Sequence, residues 1–116
     1  MAEQQSRAQQ LVGDVAPKLA ELTDEVLFGD VWLRPGLSPR DRSLITVAAL
    51  TALGRTDQLR SHLGLALSNG VTKDELAELA THLAFYAGWP AGMTAATTLK
   101  QVLAEANDGG TKGSKQ

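Results

Sequence analysis

The sequence contains no cysteine. This absence excludes disulfide bonds, thiolate metal sites and thiol-based catalysis, and it fits a reducing compartment. Long hydrophobic runs are also missing, since no apolar stretch approaches the roughly 18 residues that a membrane span requires. The first stretch, MAEQQSRAQQ, is polar and lacks the apolar segment of a secretory signal. These absences predict a cytoplasmic protein with no membrane partner.

Neither sign of charge is in large excess. The chain has 116 residues, a formal net charge of −2 and a sequence pI of about 5.6. No global charge attracts nucleic acid, so no nucleic-acid partner is predicted. The composition, 43% hydrophobic and 21% charged, is typical of one globular domain. We therefore expect a single domain over residues 1–107 and a flexible tail over residues 108–116.

Helical periodicity runs through the chain, and no stretch favours a strand. Start and stop signals predict helices over residues 3–22 with a break at Pro17, then over 23–29, 39–53, 57–68, 72–87 and 90–106. Thr23 is expected to cap the second of these helices. The predicted fold class is therefore all-α, a compact bundle of five to six helices.

Two helices carry signs of close packing. Helix 39–53 has apolar residues in nearly every direction, and a small bundle can hardly cover such a helix by itself. This pattern predicts self-association as a homo-oligomer. In helix 90–106, the small residues Gly92, Ala95 and Ala96 would let a neighbouring helix approach closely.

Arginine is concentrated in one part of the chain. Five of the six arginines fall between Arg34 and Arg60, a stretch with no lysine and two acids. Guanidinium groups favour bidentate contacts with carboxylates, so this stretch predicts a pocket for a small carboxylate substrate. Arg34 and Arg42 are the candidates, with surface arginines or intersubunit salt bridges as the alternative. For Arg55 and Arg60 a solvated surface position is favoured.

His62 interrupts an apolar row on the predicted helix 57–68. The other members of the row, at helical spacing, are Leu59, Leu63, Ala66 and Leu67. Gln58 flanks His62 one turn earlier, which places the imidazole at the edge of the apolar stripe. At such a boundary a histidine is either a hydrogen-bonded structural residue or an acid/base group facing a cleft.

A second histidine lies on a polar flank of the predicted helix 72–87. Glu78, His82 and Tyr86 are spaced four residues apart, and Trp89 follows one turn later. This row is a candidate pocket wall, and a surface pair between Glu78 and His82 is the alternative. His62 and His82 lack the spacing of a metal-binding pair, so no metal site is predicted.

Three segments of the sequence are similar to the carboxymuconolactone decarboxylase family. They are GDVWLRPGLSPRDRSLITVAALTALGR, LRSHLGLALSNGVTKDELAEL and THLAFYAGWPAG. The resemblance implies a compact all-α fold and a ring-like hexamer, a trimer of dimers. It also implies a relation to the alkyl hydroperoxidase D-like proteins, whose C-x-x-C-x-x-x-H motif falls here on Arg55, Gln58 and His62. Without cysteine, their disulfide chemistry is impossible in this chain.

The resemblance further implies a decarboxylase that needs no cofactor and converts 4-carboxymuconolactone to an enol-lactone in aromatic-acid breakdown. His62, Arg42 and His82 are the catalytic candidates, with His62 as the proton donor. The substrate-binding candidates are Arg34, Trp32, Gln58, Tyr86 and Trp89.

The sequence departs from the decarboxylase pattern at three positions. Val26 and Gln58 stand where that branch has histidine and glutamate, and His82 stands where it has glutamine. A related lyase or isomerase acting on an enolisable acid therefore stays open. Two other functions are carried as alternatives: a metal- or cofactor-dependent redox or peroxide-defence protein, and a non-catalytic oligomeric binding protein.

Overall fold

The computed structural model describes residues 5–112, with side chains described through residue 107, and every regular element in this part is helical. In chain order these elements are α1 Arg7–Val12, α2 Pro17–Leu22, a π-helical segment Thr23–Phe28, a short 3-10 helix Val31–Leu33, α3 Pro39–Leu53, α4 Thr56–Ser68, α5 Lys73–Ala87 and α6 Trp89–Lys112. The predicted all-α fold class is confirmed. Helix α6 extends past the predicted end at residue 106, and part of the predicted tail lies outside the described residues.

The chain divides between Pro39 and Arg40 into two compact units. In the first unit, the predicted break at Pro17 is confirmed, because α1 ends before it and α2 begins with it. Proline fits this first position, where its missing N–H would have no partner within the helix. Ser6 caps α1, since its Oγ accepts a hydrogen bond from the backbone N–H of Gln9 at 3.0 Å.

Thr23 differs from its predicted role as a helix cap. Its hydroxyl donates to the backbone oxygen of Leu19 at 2.8 Å, and α2 runs directly into the π-helical segment. Among the described residues of this unit only Ala20 is buried. Its large apolar side chains are at least one-third exposed: Leu11, Val15, Leu19, Leu22, Val26, Leu27, Phe28, Val31, Leu33 and Leu37.

The second unit contains the hydrophobic core, to which all four of its helices contribute. Its largest fully buried apolar side chains are Val47, Leu59, Leu63, Val71 and Leu76. Helix α3 packs one face on this core through Val47, whereas Ile45 and Leu53 on the same helix are more than half exposed. The single chain therefore covers α3 on one side only.

Helices α5 and α6 are joined by a single residue, Gly88, in a left-handed conformation with φ 108°. Immediately after this turn, Gly92 brings the two helices into close contact. A Cβ atom placed on Gly92 would lie 2.6 Å from the Cβ of Ala84 and 2.8 Å from the backbone oxygen of Ala80. The predicted role of Gly92 as a close-packing residue is confirmed.

Polar contacts fix the N-terminal end of α3 against the turn between α4 and α5. The Asn69 side-chain amide donates to Oγ of the fully buried Ser43 at 3.0 Å. Arg40 forms an ion pair with Glu75, whose carboxylate also accepts from the backbone N–H of Thr72 in a capping box. The Thr72 hydrogen bond and the Arg40 guanidinium lower the pKa of Glu75, so the carboxylate that joins these elements stays ionised.

None of the helices in the described part combines the length and apolar character needed to span a bilayer.

Candidate functional site

His62 lies on α4 beside the buried face formed by Leu59, Leu63 and Ala66. The imidazole is half-buried, and its Nδ1 atom is fully shielded from solvent. Burial lowers the pKa of His62 below the ordinary value of 6.5, because the charged form loses hydration. The side chain therefore occupies the boundary position predicted from the sequence. Its imidazolium form is a stronger acid than that of a solvated histidine.

Arg42 projects from the first turn of α3 and is also half-buried, with a shielded Nε atom. Two hydrogen bonds join α3 to the two ends of α4. Ser43 contacts Asn69 at one end, and the N–H of Arg55 donates to the backbone oxygen of Leu50 at the other, at 3.0 Å.

Arg42 and His62 therefore lie on consecutive helices, Arg42 in the first turn of α3 and His62 in the second turn of α4. Both side chains are half-buried. The second unit thus supplies one cation, which can bind a carboxylate, and one imidazole, which can donate a proton.

The predicted row on α5 is present in part. The rings of His82 and Tyr86 are 4.7 Å apart and tilted by 31°, but both side chains are exposed, Tyr86 by 79%. Trp89 does not extend this row, because α5 ends at Ala87 and Trp89 begins α6. Its ring instead packs edge-to-face on Phe85 at 5.6 Å.

The remaining candidates belong to α4 and to the first unit. Gln58 is exposed on the first turn of α4, one turn before His62. Trp32 and Arg34 belong to the first unit, where Trp32 packs on Phe28 at 5.5 Å and Arg34 is exposed at the end of the 3-10 helix.

Two cavities lie within the second unit. One, of about 660 Å³, runs between α5 and α6, and its lining includes five alanines and Trp89. The other, of about 320 Å³, lies at the turn between α3 and α4, beside the start of α6. Neither His62 nor Arg42 is among the described residues that line them.

Sequence reasoning missed one polar residue at the smaller cavity. Thr51 lines it and is 2% exposed, with no hydrogen-bond partner for Oγ1 among the described residues. The signal was a single threonine inside the apolar run AALTAL of α3. No group of three or more histidine, aspartate or glutamate side chains with metal-binding geometry occurs in the described part.

Comparison with known families decides the classification of this chain. The family model described as "Carboxymuconolactone decarboxylase family" matches residues 17–101. The chain belongs to the carboxymuconolactone decarboxylase family. The resemblance drawn from its three sequence segments is thereby confirmed.

Two curated relatives of this carboxymuconolactone decarboxylase family member are named as decarboxylases. The 4-carboxymuconolactone decarboxylase of Acinetobacter baylyi is 53% identical over 75 residues, covering 65% of this chain and 56% of the relative. The nitrosuccinic acid decarboxylase npaB of Metarhizium robertsii is 34% identical over 90 residues, covering 78% of this chain and 63% of the relative.

A third relative of this family member carries no activity in its name. It is an uncharacterized 15.0 kDa protein of Paracoccus denitrificans, 35% identical over 86 residues. This family member spans between 56% and 64% of the length of these curated relatives.

Proposed function

We propose that this chain is a cofactor-independent decarboxylase acting in the cytoplasm on a small organic acid with at least two carboxylates, such as 4-carboxymuconolactone. The observation that carries the proposal is the half-buried imidazole of His62, shielded at Nδ1, in a chain of this family. Two relatives named as decarboxylases support the same reaction type.

The two acids in those relatives' names share one chemical property. Loss of carbon dioxide leaves an electron pair on carbon, and that pair must be delocalised onto oxygen. In 4-carboxymuconolactone the acceptor is the lactone carbonyl conjugated through a double bond, and in nitrosuccinate it is the nitro group. Each acid also retains a second carboxylate. The proposed substrate class is therefore a dicarboxylic acid in which the carbon that loses its carboxylate carries an electron-accepting group, either directly or through a double bond.

In this reaction Arg42 binds the substrate and His62 donates the proton. Arg42 holds the retained carboxylate, because a guanidinium makes charge-assisted contacts with it. The carbon–carboxylate bond breaks, carbon dioxide leaves, and its electron pair moves onto the acceptor oxygen. The imidazolium of His62 then gives its proton to carbon and is reprotonated by water. Partial burial favours this step, since it makes the imidazolium a stronger acid.

The other candidate residues keep subsidiary roles in the proposal. On the second unit, Gln58 would bind polar groups of the substrate, and the rings of Tyr86 and Trp89 would contribute an apolar wall. On the first unit, Arg34 stays a candidate for a carboxylate contact and Trp32 for an apolar contact. His82 remains the second candidate for the proton donor. Because most of these side chains are exposed in one chain, the proposed site is closed by another copy of the protein.

We infer that this copy belongs to a homo-oligomer, with a hexamer built as a trimer of dimers as the expected form. Large apolar side chains on the second unit support the inference, since Leu53 is 67% exposed and Phe85 is 74% exposed. Light scattering after size-exclusion chromatography is expected to give about six times the 12.3 kDa of one chain. A monomer at micromolar concentration would contradict it.

The decarboxylase proposal is tested by turnover of both acids. Purified protein is expected to release one carbon dioxide per molecule of 4-carboxymuconolactone or nitrosuccinate, as measured by membrane-inlet mass spectrometry. In deuterium oxide, the product should carry deuterium at the carbon that lost the carboxylate. Arg42→Gln should raise KM by about tenfold or more with a smaller change in kcat.

Arg60→Gln provides the matched control, because Arg60 lies on α4 and bonds Gln101 at 2.8 Å. This variant should turn over both acids like the original chain. If neither acid releases carbon dioxide, the decarboxylase proposal is wrong. Binding of both acids without turnover would instead favour the non-catalytic oligomeric role.

A further inference from the structure

We propose that the smaller cavity, at the turn between α3 and α4, is a binding site for a small carboxylate with an apolar body. It is separate from Arg42, since Thr51 in its lining lies nine residues further along α3, about 13 Å away by helical rise. The site goes beyond the proposed decarboxylation and does not depend on it.

Thr51 provides the first observation. Its hydroxyl is buried without a hydrogen-bond partner among the described residues, while it lines the cavity. Other threonines on these helices bond their own backbone. The hydroxyl of buried Thr98 donates to the oxygen of Thr94 at 2.7 Å, and that of Thr46 donates to the oxygen of Arg42 at 2.7 Å. A buried hydroxyl without a partner is unfavourable, and a ligand oxygen in the cavity would supply an acceptor.

The N-terminus of α4 provides the second observation. Its N-cap position is occupied by Arg55, whose side chain forms no capping hydrogen bond. The first N–H groups of any α-helix have no partner within the helix and carry partial positive charge. Thr56, the first residue of α4, lines the cavity. The first turn of α4 therefore borders the same cavity that Thr51 lines.

The charge of the lining provides the third observation. Arg55 lines the cavity and forms no ion pair within the described part of the chain. Asp57, in the first turn of α4, is the nearest acid in sequence, but it is exposed and absent from the lining. A guanidinium beside an uncapped helix N-terminus favours a negatively charged oxygen ligand.

The rest of the lining sets the size and polarity of the ligand. The lining also includes four apolar side chains, Leu50, Leu53, Leu59 and Pro90. The volume of about 320 Å³ is at the lower limit for small-molecule sites. A carboxylate attached to an apolar ring or short chain fits this lining, whereas acetate leaves the apolar side chains without a contact and inorganic phosphate has no apolar part.

Titration of the full chain with benzoate, followed by amide and methyl NMR, tests the site directly. Saturable shifts are expected for Thr51, Thr56, Ala91 and Thr94, with a Kd of about 1 mM or tighter. Acetate and inorganic phosphate should bind at least several-fold more weakly. Absence of saturable shifts up to about 20 mM benzoate, or tighter binding of phosphate than of benzoate, would overturn the proposal.

Variants separate a binding role from a structural one. Arg55→Gln should weaken benzoate binding about tenfold. Thr51→Val should weaken it several-fold while leaving the melting temperature of the unliganded protein unchanged or higher, because valine removes the unpartnered hydroxyl without changing shape.

Two controls complete the set. Arg60→Gln should bind benzoate like the original chain, and Asp57→Asn should bind it equally or more tightly. If Arg55→Gln and Thr51→Val both retain full affinity, the site is wrong. The measurement requires no turnover, so its failure is distinct from failure of the decarboxylase proposal.

Discussion

Replacing Gly92 with alanine is expected to destabilise the protein by about 1–3 kcal/mol, because the added methyl group has no space. Its Cβ would lie 2.6 Å from the Cβ of Ala84, 3.0 Å from the Cα of Ala84 and 2.8 Å from the backbone oxygen of Ala80. These atoms belong to the body of α5 rather than to a flexible side-chain end. Helices α5 and α6 must therefore separate, which weakens the core contacts of both. Urea unfolding monitored by circular dichroism measures the loss.

The matched control is Gly64→Ala, another glycine within a helix. A Cβ at Gly64 has no neighbouring atom within 4 Å, so alanine is accommodated freely. Since alanine favours a helix over glycine, this variant should gain about 0.5–1 kcal/mol. Equal effects of the two substitutions on stability would show that close packing of α5 and α6 does not depend on Gly92.

Replacing His62 with glutamine is expected to lower kcat of the proposed decarboxylation by about 10²- to 10⁴-fold, the usual contribution of a positioned acid. Glutamine keeps polarity and approximate size but cannot deliver a proton to carbon. The imidazolium is the active form, and burial lowers the pKa of His62 below 6.5. The rate of the original chain should therefore rise as pH falls towards this lowered pKa, and His62→Gln should lose that dependence.

Two comparisons make the His62 result specific. His82→Gln tests the second candidate, and a larger loss there than at His62 would transfer the donor role to His82. The free energy of unfolding provides the second comparison. Because the pKa of His62 is lower in the folded state than in the unfolded state, this histidine does not reduce stability above pH 6.5. The free energy of unfolding should fall as pH drops from 6.5 through the lowered pKa. His62→Gln should remove this decline in stability at acid pH, whatever its effect on catalysis.

Local signals in the sequence were sufficient for most of the helix boundaries. The capping box forms as expected, with the N–H of Glu75 donating to Oγ1 of Thr72 at 3.0 Å. Pro17 separates α1 from α2, and Gly70 and Gly88 adopt the positive φ angles of 98° and 108° that follow helix ends. Each of these features depends on residues within a few positions of one another, so periodicity and turn chemistry contain the necessary information.

Contacts between residues far apart in the sequence could not be predicted from these local signals. Glu75 also pairs with Arg40, which is 35 residues away, and no local pattern specifies that partner. Thr46 and Thr51 both lie in apolar stretches of α3, yet the hydroxyl of Thr46 donates to the backbone of its own helix and that of Thr51 has no partner among the described residues. Only the packing of neighbouring helices distinguishes such positions.

The candidate site likewise has features that the sequence could predict and features that it could not. The boundary position of His62 was predictable, because an amphipathic helix fixes which residues flank its buried face. The exposure of Tyr86 and Trp89 was not predictable, since a pocket wall requires a second surface that local spacing does not describe.

The single-residue connection at Gly88 limits how the length of this protein can vary. An inserted residue that is taken up into the first turn of α6 would rotate the rest of that helix by about 100° and advance it by about 1.5 Å. Gly92 would then leave its contact with Ala84, and a bulkier neighbour would take its place. We expect insertions and deletions to be tolerated instead in exposed segments that do not set the register of two packed helices. The segment around Gly36 is one of these, since it is exposed and a Cβ added at Gly36 meets no atom within 4 Å.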